Sequence, residues 1–387
     1  MDGHRSPHHP RPGRRRRGRP RRRRRRQTRG PGQAGRGRRQ DRRGLPEQGQ
    51  YLNRRHRPRL RPVTTEGKLL EEALFEVKRV IVGQDRMVER LFTAILARGH
   101  CLLEGVPGVA KTLAAKTLAH VAGGHFARLQ FTPDLVPSDI TGTRIYRPSQ
   151  EAFDIEPGPV IANVVLADEI NRAPAKVQSA LLEVMGEHQV SIGGTTLPVP
   201  EPFLVLATQN PIESEGVYRL PEAQRDRFLL KVEVAAPSES EELAILYRMS
   251  VDPPSPRRVL TPERLIALQR AADQVFVHHA VAEYAVRLVC STRELAGPES
   301  RLAHGAGPRA TLGLVAAARA LALLRGRGYV LPKDVGDLAH EVIAHRLVLS
   351  FDALADGITP GEIVDEVLTA VQQPRISPRQ AAQEAVA

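Results

Sequence analysis

The stretch Cys101-Leu-Leu-Glu-Gly105-Val-Pro-Gly-Val-Ala-Lys111-Thr112 decides the fold of this chain. A short apolar run breaks at Gly105, which is typical of a buried strand, and a helical pattern resumes at Lys111. A glycine-rich loop between a strand and a helix presents backbone N–H groups to an anion. We expect Lys111 to reach the β- and γ-phosphates of a nucleotide and the Thr112 hydroxyl to coordinate Mg²⁺. The alternative, a glycine-rich turn with a chance Lys-Thr pair, is disfavoured by the flanking strand and helix.

One position departs from the usual pattern of such loops. Ala110 stands where a glycine commonly precedes the lysine. Because a methyl group is strained at positive φ, we expect the backbone at Ala110 to avoid that region. The residues assigned to nucleotide binding around this position are Gly105, Val106, Pro107, Gly108, Val109, Ala110, Lys111, Thr112 and Leu113.

A second motif, Asn163-Val-Val-Leu-Ala-Asp168-Glu169, is an apolar strand that ends in two acids. Open α/β sheets bind ligands at the carboxyl ends of their strands, which places both acids at the expected site. We expect Asp168 to hold Mg²⁺, directly or through water, and Glu169 to act as the general base toward the attacking water. Alone, this motif would indicate only a solvated strand end.

A third apolar strand, Phe203 to Ala207, leads into Thr-Gln-Asn210-Pro211. An amide at the same sheet edge can orient the attacking water or contact the γ-phosphate. We therefore expect Asn210 to sense the state of the nucleotide. An isolated Asn-Pro would favour a plain turn instead.

The order of elements predicts an α/β fold with a largely parallel sheet, because buried strands alternate with helical segments. The pattern places strands at 101–104, 160–167 and 203–207 and a helix at 175–185, and Gly193-Gly194 indicates a hairpin over 189–199. After Pro237 we expect no further strands, and helices cover about 239–249, 262–274, 280–295, 309–324, 332–348 and 360–371. We therefore divide the chain into residues 1–62, an ATPase-type core at 63–237 and an all-helical lid domain at 238–387.

The charge is concentrated at one end of the chain. The protein has 387 residues and a formal net charge of +14, but 24 arginines and only three acids fall in residues 1–62. The remainder holds 33 basic and 40 acidic residues, so the predicted folded part is acidic and lacks the charge of a nucleic-acid-binding domain. Residues 1–62 contain almost nothing apolar, and we expect them to be disordered.

The same arginine-rich composition also resembles the translation of GC-rich DNA. Our hypothesis is that the true start lies downstream, near Val63. If the segment is translated, nucleic acid could bind through this segment alone. The two cysteines, Cys101 and Cys290, argue against a disulfide framework or a zinc site. No apolar run reaches the length of a membrane span and no signal peptide is evident, so we expect a cytoplasmic protein.

Taken together, the motifs closely resemble the MoxR family of AAA+ ATPases over about residues 63–374. The matching segments are Val82-Gly83-Gln84, Gly99-His100, Leu103 to Thr112, Phe131 to Gly142, Ala167 to Ala173, Ala207 to Pro211, Leu220 to Phe228 and Gly307 to Ala310. The family commonly has alanine at the position of Ala110, so this departure from the usual loop pattern supports the resemblance to the family.

The resemblance implies further roles. Arg227 matches the arginine finger, which reaches a nucleotide held by the neighbouring subunit, where a guanidinium stabilises the transferred phosphoryl group. The adjacent Arg225 leaves open which arginine acts. Arg309 matches the sensor-2 arginine of the lid, and Val82 and Gly83 belong to the loop beside the adenine. For either arginine alone, a surface ion pair would be the simpler interpretation.

The resemblance also implies an ATP- and Mg²⁺-dependent ring, expected to be a hexamer, with a chaperone-like role and often a von Willebrand factor A-domain partner. Residues 143–159 and the 189–199 hairpin match family insertions that contact clients, although each is otherwise only a loop. Two alternatives stay open. One is a chelatase-like or nucleic-acid-associated motor, and the other is a nucleotide-regulated binding module that uses the arginine segment.

Overall fold

The computed structural model describes residues 65–149, 151–211, 217–250, 253–297 and 299–376. The chain divides into two units, residues 1–48 and Gly49–Ala387, and every described residue belongs to the second. The expected disorder of residues 1–62 lies outside the described part of the chain.

A five-stranded parallel sheet forms the centre of the molecule. Its strands are β1 (Cys101–Glu104), β2 (Phe126–Gln130), β5 (Val164–Asp168), β8 (Leu204–Gln209) and β9 (Leu230–Glu233), and their order is β2-β5-β8-β1-β9. Every neighbouring pair is parallel. This confirms the predicted α/β fold. The strands β2 and β9 were not predicted.

Two antiparallel hairpins extend from this sheet. One consists of β3 (Gly142–Arg147) and β4 (Ala152–Pro157), and the other of β6 (Gln189–Ile192) and β7 (Thr195–Pro198). At the turn of the second hairpin, Gly193 and Gly194 both have positive φ, as the Gly-Gly pair predicts.

The helices before the lid lie on both faces of the sheet. They are α1 (Thr65–Val80), α2 (Asp85–Leu96), α3 (Lys111–Ala122), α4 (Pro137–Thr141), α5 (Ala175–Glu187) and α6 (Glu222–Arg225). Side chains alternate between two apolar cores: Cys101 and Leu103 point into one, and Leu102 points into the other. Because each central strand is covered on both faces, its sequence is a continuous apolar run.

The second part of the chain is helical. It contains α7 (Glu239–Ser250), α8 (Pro262–Asp273), α9 (His279–Glu294), α10 (Pro308–Leu324), α11 (Pro332–Ile343), α12 (Phe351–Ala355) and α13 (Pro360–Ala370). The core that contains Leu103 continues into this part through side chains such as Leu314 and Leu338. The predicted helical lid is confirmed.

Two boundaries and one additional element differ from the prediction. The strand expected to start at Val160 begins at Val164, because the chain turns before that residue: the Ile161 N–H bonds to the Gly158 carbonyl at 3.1 Å, and the Val164 N–H bonds to the His125 carbonyl where pairing with β2 begins. A helix expected over 332–348 ends at Ile343. The lid also contains a two-stranded ribbon of β10 (Leu302–His304) and β11 (Val348–Leu349), although no strands were expected after Pro237.

Candidate functional site

The predicted phosphate-binding loop connects β1 to α3, and its backbone is strained at Ala110, the position that departs from the usual pattern. Ala110 has φ 61° and ψ 18°, so the expectation that its backbone avoids positive φ is wrong. Gly108 also has positive φ, at 88°. A Cβ atom at Gly105 would lie only 2.4 Å from the Val234 carbonyl oxygen, which requires glycine there. The loop therefore keeps its fixed shape, with a methyl group at Ala110 in the left-handed region.

Lys111 opens α3 and turns back over the loop. Its Nζ donates to the carbonyl oxygens of Gly105 at 2.5 Å and Gln209 at 3.4 Å. Burial lowers the pKa of Lys111, and the carboxylates of Asp168 and Glu169 oppose this shift. The ammonium group thus lies where β1 and β8 end, close to the predicted acids.

The sheet register brings the three motifs to one edge. Glu104 is paired with Gln209 across β1 and β8, and Ala167 is paired with Ala207 across β5 and β8. Because the strands are parallel, the residues that follow them lie at the same edge, as predicted for Lys111, Asp168 and Asn210.

Thr208 links the two predicted acids. Its hydroxyl donates to Asp168 Oδ1 at 2.6 Å and accepts from the Glu169 backbone N–H at 2.8 Å. Thr208 is almost fully buried. The hydroxyl therefore fixes the Asp168 carboxylate and the start of the Glu169 backbone with a single side chain.

Glu169 is held on both sides in a strained conformation. Its φ of 56° and ψ of 50° lie in the left-handed region, which is uncommon for glutamate. Glu169 Oε2 accepts from Gln130 Nε2 at 3.0 Å and forms an ion pair with Arg172 Nε at 3.0 Å. These contacts hold the carboxylate beside β2, the edge strand of the sheet.

The oxygen ligands at this edge fit Mg²⁺ bound with a nucleotide. No group of three or more His, Cys, Asp or Glu side chains in the described ranges is arranged to hold a metal by itself. Mg²⁺ is commonly held by one or two carboxylates together with substrate phosphates, which the Asp168 carboxylate and the Thr112 hydroxyl can complete. Asp168 Oδ2 also accepts from Arg128 Nη2 at 2.7 Å, so one carboxylate oxygen is engaged by an arginine.

Asn210 lies at the end of β8 and is 9% exposed. It lines a cavity of about 770 Å³ together with Leu347 and Leu349 of the lid. Arg225 lines the same cavity, is half-buried and has a distant ion pair with Glu222 at 3.8 Å. Arg225 therefore borders a cavity of its own chain.

Arg227 lies at the amino-terminal ends of the strands, opposite the ends that carry Lys111, Asp168 and Asn210. The register of β9 pairs Leu230 with Cys101 and Glu233 with Glu104, so the residues before Leu230 lie away from the phosphate-binding loop. The Arg227 side chain is exposed and donates to the Leu182 carbonyl at the C-terminal part of α5. The structure therefore does not bring Arg227 together with the loop of its own chain.

Arg309 binds the segment that precedes β9. At the start of α10, its Nη1 donates to Asp226 Oδ2 at 2.8 Å. Asp226 is the chain neighbour of Arg227. Arg346, which is buried in the lid, donates through Nε to the other oxygen of Asp226 at 2.8 Å.

The loop Val82-Gly83-Gln84 lies between α1 and α2. Gly83 has φ 71° and contacts the Glu241 side chain, and Gln84 Nε2 donates to the Ala235 carbonyl at 2.9 Å. The loop is thereby tied to the segment that follows β9.

The two hairpins contact each other. Tyr146 and Phe153 are exposed cross-strand partners whose ring centroids are 5.2 Å apart. Arg144 lies 4.7 Å from the centre of the Phe153 ring, and its side chain fills the space over Gly193 of the second hairpin. The hairpins therefore form one surface that joins aromatic rings and a guanidinium group.

Several side chains at the site were not predicted. Thr208 lies within the predicted motif Ala207 to Pro211, where a polar residue among buried ones was the available signal. Gln130, Arg128 and Arg172 bind the two acids. Gln130 and Arg128 belong to β2, a strand that was not predicted, and Asp226 and Arg346 are 120 residues apart in sequence.

Known proteins share these motifs. The model of the ATPase family associated with various cellular activities (AAA) matches residues 100–230, and an AAA lid domain matches residues 298–367. Chaperone MoxR1 of Mycobacterium tuberculosis is 60% identical over 313 residues, which are 80% of this chain and 83% of the relative. The chain belongs to the MoxR family of AAA+ ATPases.

The chain is also similar to a second MoxR protein and to a solved structure. Protein MoxR of Methylorubrum extorquens is 33% identical and covers 71% of this chain and 86% of the relative. The crystal structure of a protein assigned as an ATPase from Cytophaga hutchinsonii has a TM-score of 0.75 and 42% identity, and it covers 80% of this chain and 96% of that one. In the described part of this MoxR protein, no helix is long and apolar enough to cross a membrane.

Proposed function

We propose that this MoxR protein hydrolyses ATP with Mg²⁺ and uses the energy to remodel, mature or activate client proteins as a hexameric ring. The observation that carries the proposal is the meeting of Lys111, the Asp168–Glu169 pair and Asn210 at one sheet edge. The convergence supports phosphoryl transfer to water, because each group has a defined role in that reaction.

In the proposed reaction, Lys111 and the loop N–H groups neutralise the β- and γ-phosphates and hold them in place. Thr112 and Asp168 would hold Mg²⁺, which would supply electrostatic stabilisation of the phosphate oxygens. Glu169 accepts a proton from the attacking water, and the side-chain amide of Asn210 orients that water. The bond between the β–γ bridging oxygen and the γ-phosphorus breaks, which releases ADP and phosphate.

The arginine finger is proposed to act between subunits. Arg227 lies at the amino-terminal ends of the strands, opposite its own phosphate-binding loop, and its side chain is exposed, so it can reach another subunit once it leaves the Leu182 carbonyl. Arg225 is half-buried and borders a cavity of its own chain, which favours Arg227 for the role. We further propose that Arg309, through Asp226, couples the lid to the finger.

The joined hairpins are proposed to contact the client. Exposed aromatic rings such as Tyr146 and Phe153 are unusual on a protein surface and often mark interaction sites. We also propose a von Willebrand factor A-domain protein as partner and a cytoplasmic location. The free thiols of Cys101 and Cys290 are compatible with a reducing compartment.

Turnover of the Glu169→Gln variant tests the proposed chemistry. We expect ATP binding to persist and hydrolysis to fall at least about 100-fold, because the amide cannot act as a base. The control is Glu183→Gln, which changes an exposed carboxylate on α5 and should keep wild-type turnover. Full turnover of Glu169→Gln would refute the catalytic assignment.

A further inference from the structure

The helix α7 packs against the rest of the chain with one face only. Glu241 contacts Gly83, and Arg248 Nη1 donates to the carbonyl oxygens of Lys78 and Arg79 at 3.2 and 3.1 Å. These positions are seven residues apart and share one helix face. No residue of α7 is buried, which is unusual because short helices depend on tertiary packing for stability.

The opposite face of α7 is apolar and exposed. Leu243, Leu246 and Tyr247 follow the spacing of a single helix face and are 49%, 60% and 70% exposed. We call these three residues the α7 stripe. Large apolar side chains that are grouped and exposed mark interaction surfaces.

The position of the α7 stripe indicates what covers it. Through Glu241, α7 rests on Gly83, in the loop assigned to the adenine. If the finger acts in trans, the surface next to the bound nucleotide faces the surface of the next subunit that carries Arg227. This step rests on the proposed function.

The surface around Arg227 carries an exposed apolar side chain that could pack against the α7 stripe. Leu312 is 73% exposed and lies one turn after Arg309 on α10, and Arg309 binds Asp226 beside Arg227. A ring needs two different surfaces that are complementary in a head-to-tail contact, and the chain presents both.

Charges on the two surfaces are also complementary. Glu239 and Glu242 flank the α7 stripe and are exposed. On the other surface, Arg227 and Arg309 are exposed as well. The single carboxylate of Asp226 is shared by Arg309 and the buried Arg346, so this surface keeps an excess of positive charge. Opposite charges around an apolar centre are typical of specific protein interfaces.

We propose that the α7 stripe of one subunit packs against Leu312 and its surroundings on the next subunit, and that this contact closes the ring. The occupant of the stripe is therefore a second copy of this chain. The contact would bring the neighbour's Arg227 toward the nucleotide loop.

Assembly of a double variant, Leu246→Glu with Tyr247→Glu, tests the proposal. The background is the full chain with Glu169→Gln, which is expected to hold ATP, and the mass is measured by analytical ultracentrifugation with saturating ATP. We expect the double variant to bind ATP as the parent does but to stay monomeric. The control, Phe351→Glu, changes a side chain that is 91% exposed on α12 and should assemble normally.

The outcomes separate this inference from the proposed function. If the parent and the double variant each assemble to the same extent, the stripe contact is overturned and the ring remains. The stripe would then bind another occupant, such as a client. A parent that does not assemble with ATP contradicts the ring itself. Loss of ATP binding or a lower unfolding temperature in the double variant would point to a structural role for α7, and this too overturns the proposal.

A cross-linking experiment tests the pairing directly. One chain carries Leu246→Cys and another carries Leu312→Cys, both with Cys290→Ser to remove the partly exposed native thiol. Under oxidation with ATP, we expect disulfide-linked dimers in the mixture of both chains and not in either chain alone. Absence of the mixed dimer in an assembled ring, or equal dimer formation by either chain alone, would overturn the head-to-tail contact.

Discussion

Asp226 joins two arginines of the lid to the segment that carries Arg227. Its Oδ1 accepts from Arg346 Nε and its Oδ2 from Arg309 Nη1, both at 2.8 Å. Arg346 also donates to the Phe228 carbonyl at 2.6 Å, and His345 Nε2 lies 3.1 Å from the same oxygen. The residues on both sides of Arg227 are thus bound to the lid.

The Asp226→Asn variant should weaken catalysis through this clamp. It removes the charge that pairs with the buried Arg346 and the exposed Arg309, so the position of Arg227 becomes less fixed. We expect kcat to fall by about 10-fold to 100-fold with little change in KM, because the finger acts on the transition state. Steady-state ATPase assays measure both constants.

A matched control is Asp356→Asn, which changes an exposed carboxylate at the end of α12. The defect of Asp226→Asn should also be partly rescued by mixing it with Glu169→Gln subunits, which supply an intact finger. An Asp226→Asn variant with a raised KM and a lowered kcat, and with no gain in rate on mixing with Glu169→Gln subunits, would indicate general misfolding. That result would contradict a positioning role.

Substitutions at Ala110 test the strained loop. Glycine fits φ 61° without strain but gains freedom in the unfolded chain, so Ala110→Gly should change the free energy of unfolding by less than about 1 kcal/mol. Valine is β-branched and fits this region poorly, so Ala110→Val should destabilise the protein by about 1–3 kcal/mol and weaken ATP binding.

Denaturant unfolding and nucleotide titration measure these effects. Ala110→Val with wild-type stability and affinity would mean that the loop does not adopt the left-handed conformation at this residue.

Burial of His100 predicts a loss of stability in mild acid. Its Nδ1 accepts from the Val205 N–H at 3.0 Å, and its Nε2 lies 3.3 Å from the Met185 carbonyl. Burial lowers the pKa of His100 to about 4. Because the folded pKa lies below the unfolded value, the contribution to stability is complete above about pH 6.5 and is lost as the pH falls toward 4.

We therefore expect the free energy of unfolding to fall by about 2 kcal/mol from His100 alone between pH 7 and pH 5. The pKa of His345 is also lowered by burial, so that residue adds to the same trend. In the His100→Gln variant, the free energy of unfolding should differ less between pH 7 and pH 5 than it does in the wild type. The His304→Gln variant, changed at an exposed position, should keep the wild-type difference. An unchanged pH dependence in His100→Gln would contradict the assignment.

The sequence predicted the parts of the site that depend on local pattern. The loop from Gly105 to Thr112 and the acids after β5 are short motifs whose apolar strands end in functional residues. Strand β2 was not predicted because its burial alternates along Phe126–Gln130, so it lacks a continuous apolar run. The β10–β11 ribbon has only three and two residues, too few for a periodic signal.

Contacts between distant segments could not be predicted in the same way. Arg346 and Asp226 are 120 residues apart in sequence. An arginine near the end of a predicted helix, taken alone, would be interpreted as part of a surface ion pair. The backbone strain at Ala110 was also missed, because residue type alone disfavours positive φ and the surrounding loop overrides that preference.

The most direct test of the central claim, that Arg227 acts on the ATP of a neighbouring subunit, is the ATPase rate of mixed rings. Arg227→Ala and Glu169→Gln should each be inactive alone. Their equimolar mixture should regain up to about a quarter of the wild-type rate, because random mixing pairs an intact Glu169 with an intact Arg227 at that fraction of junctions. A mixture no more active than its separate components would contradict the claim. So would a parallel mixture of Arg225→Ala with Glu169→Gln that is rescued when the Arg227→Ala mixture is not.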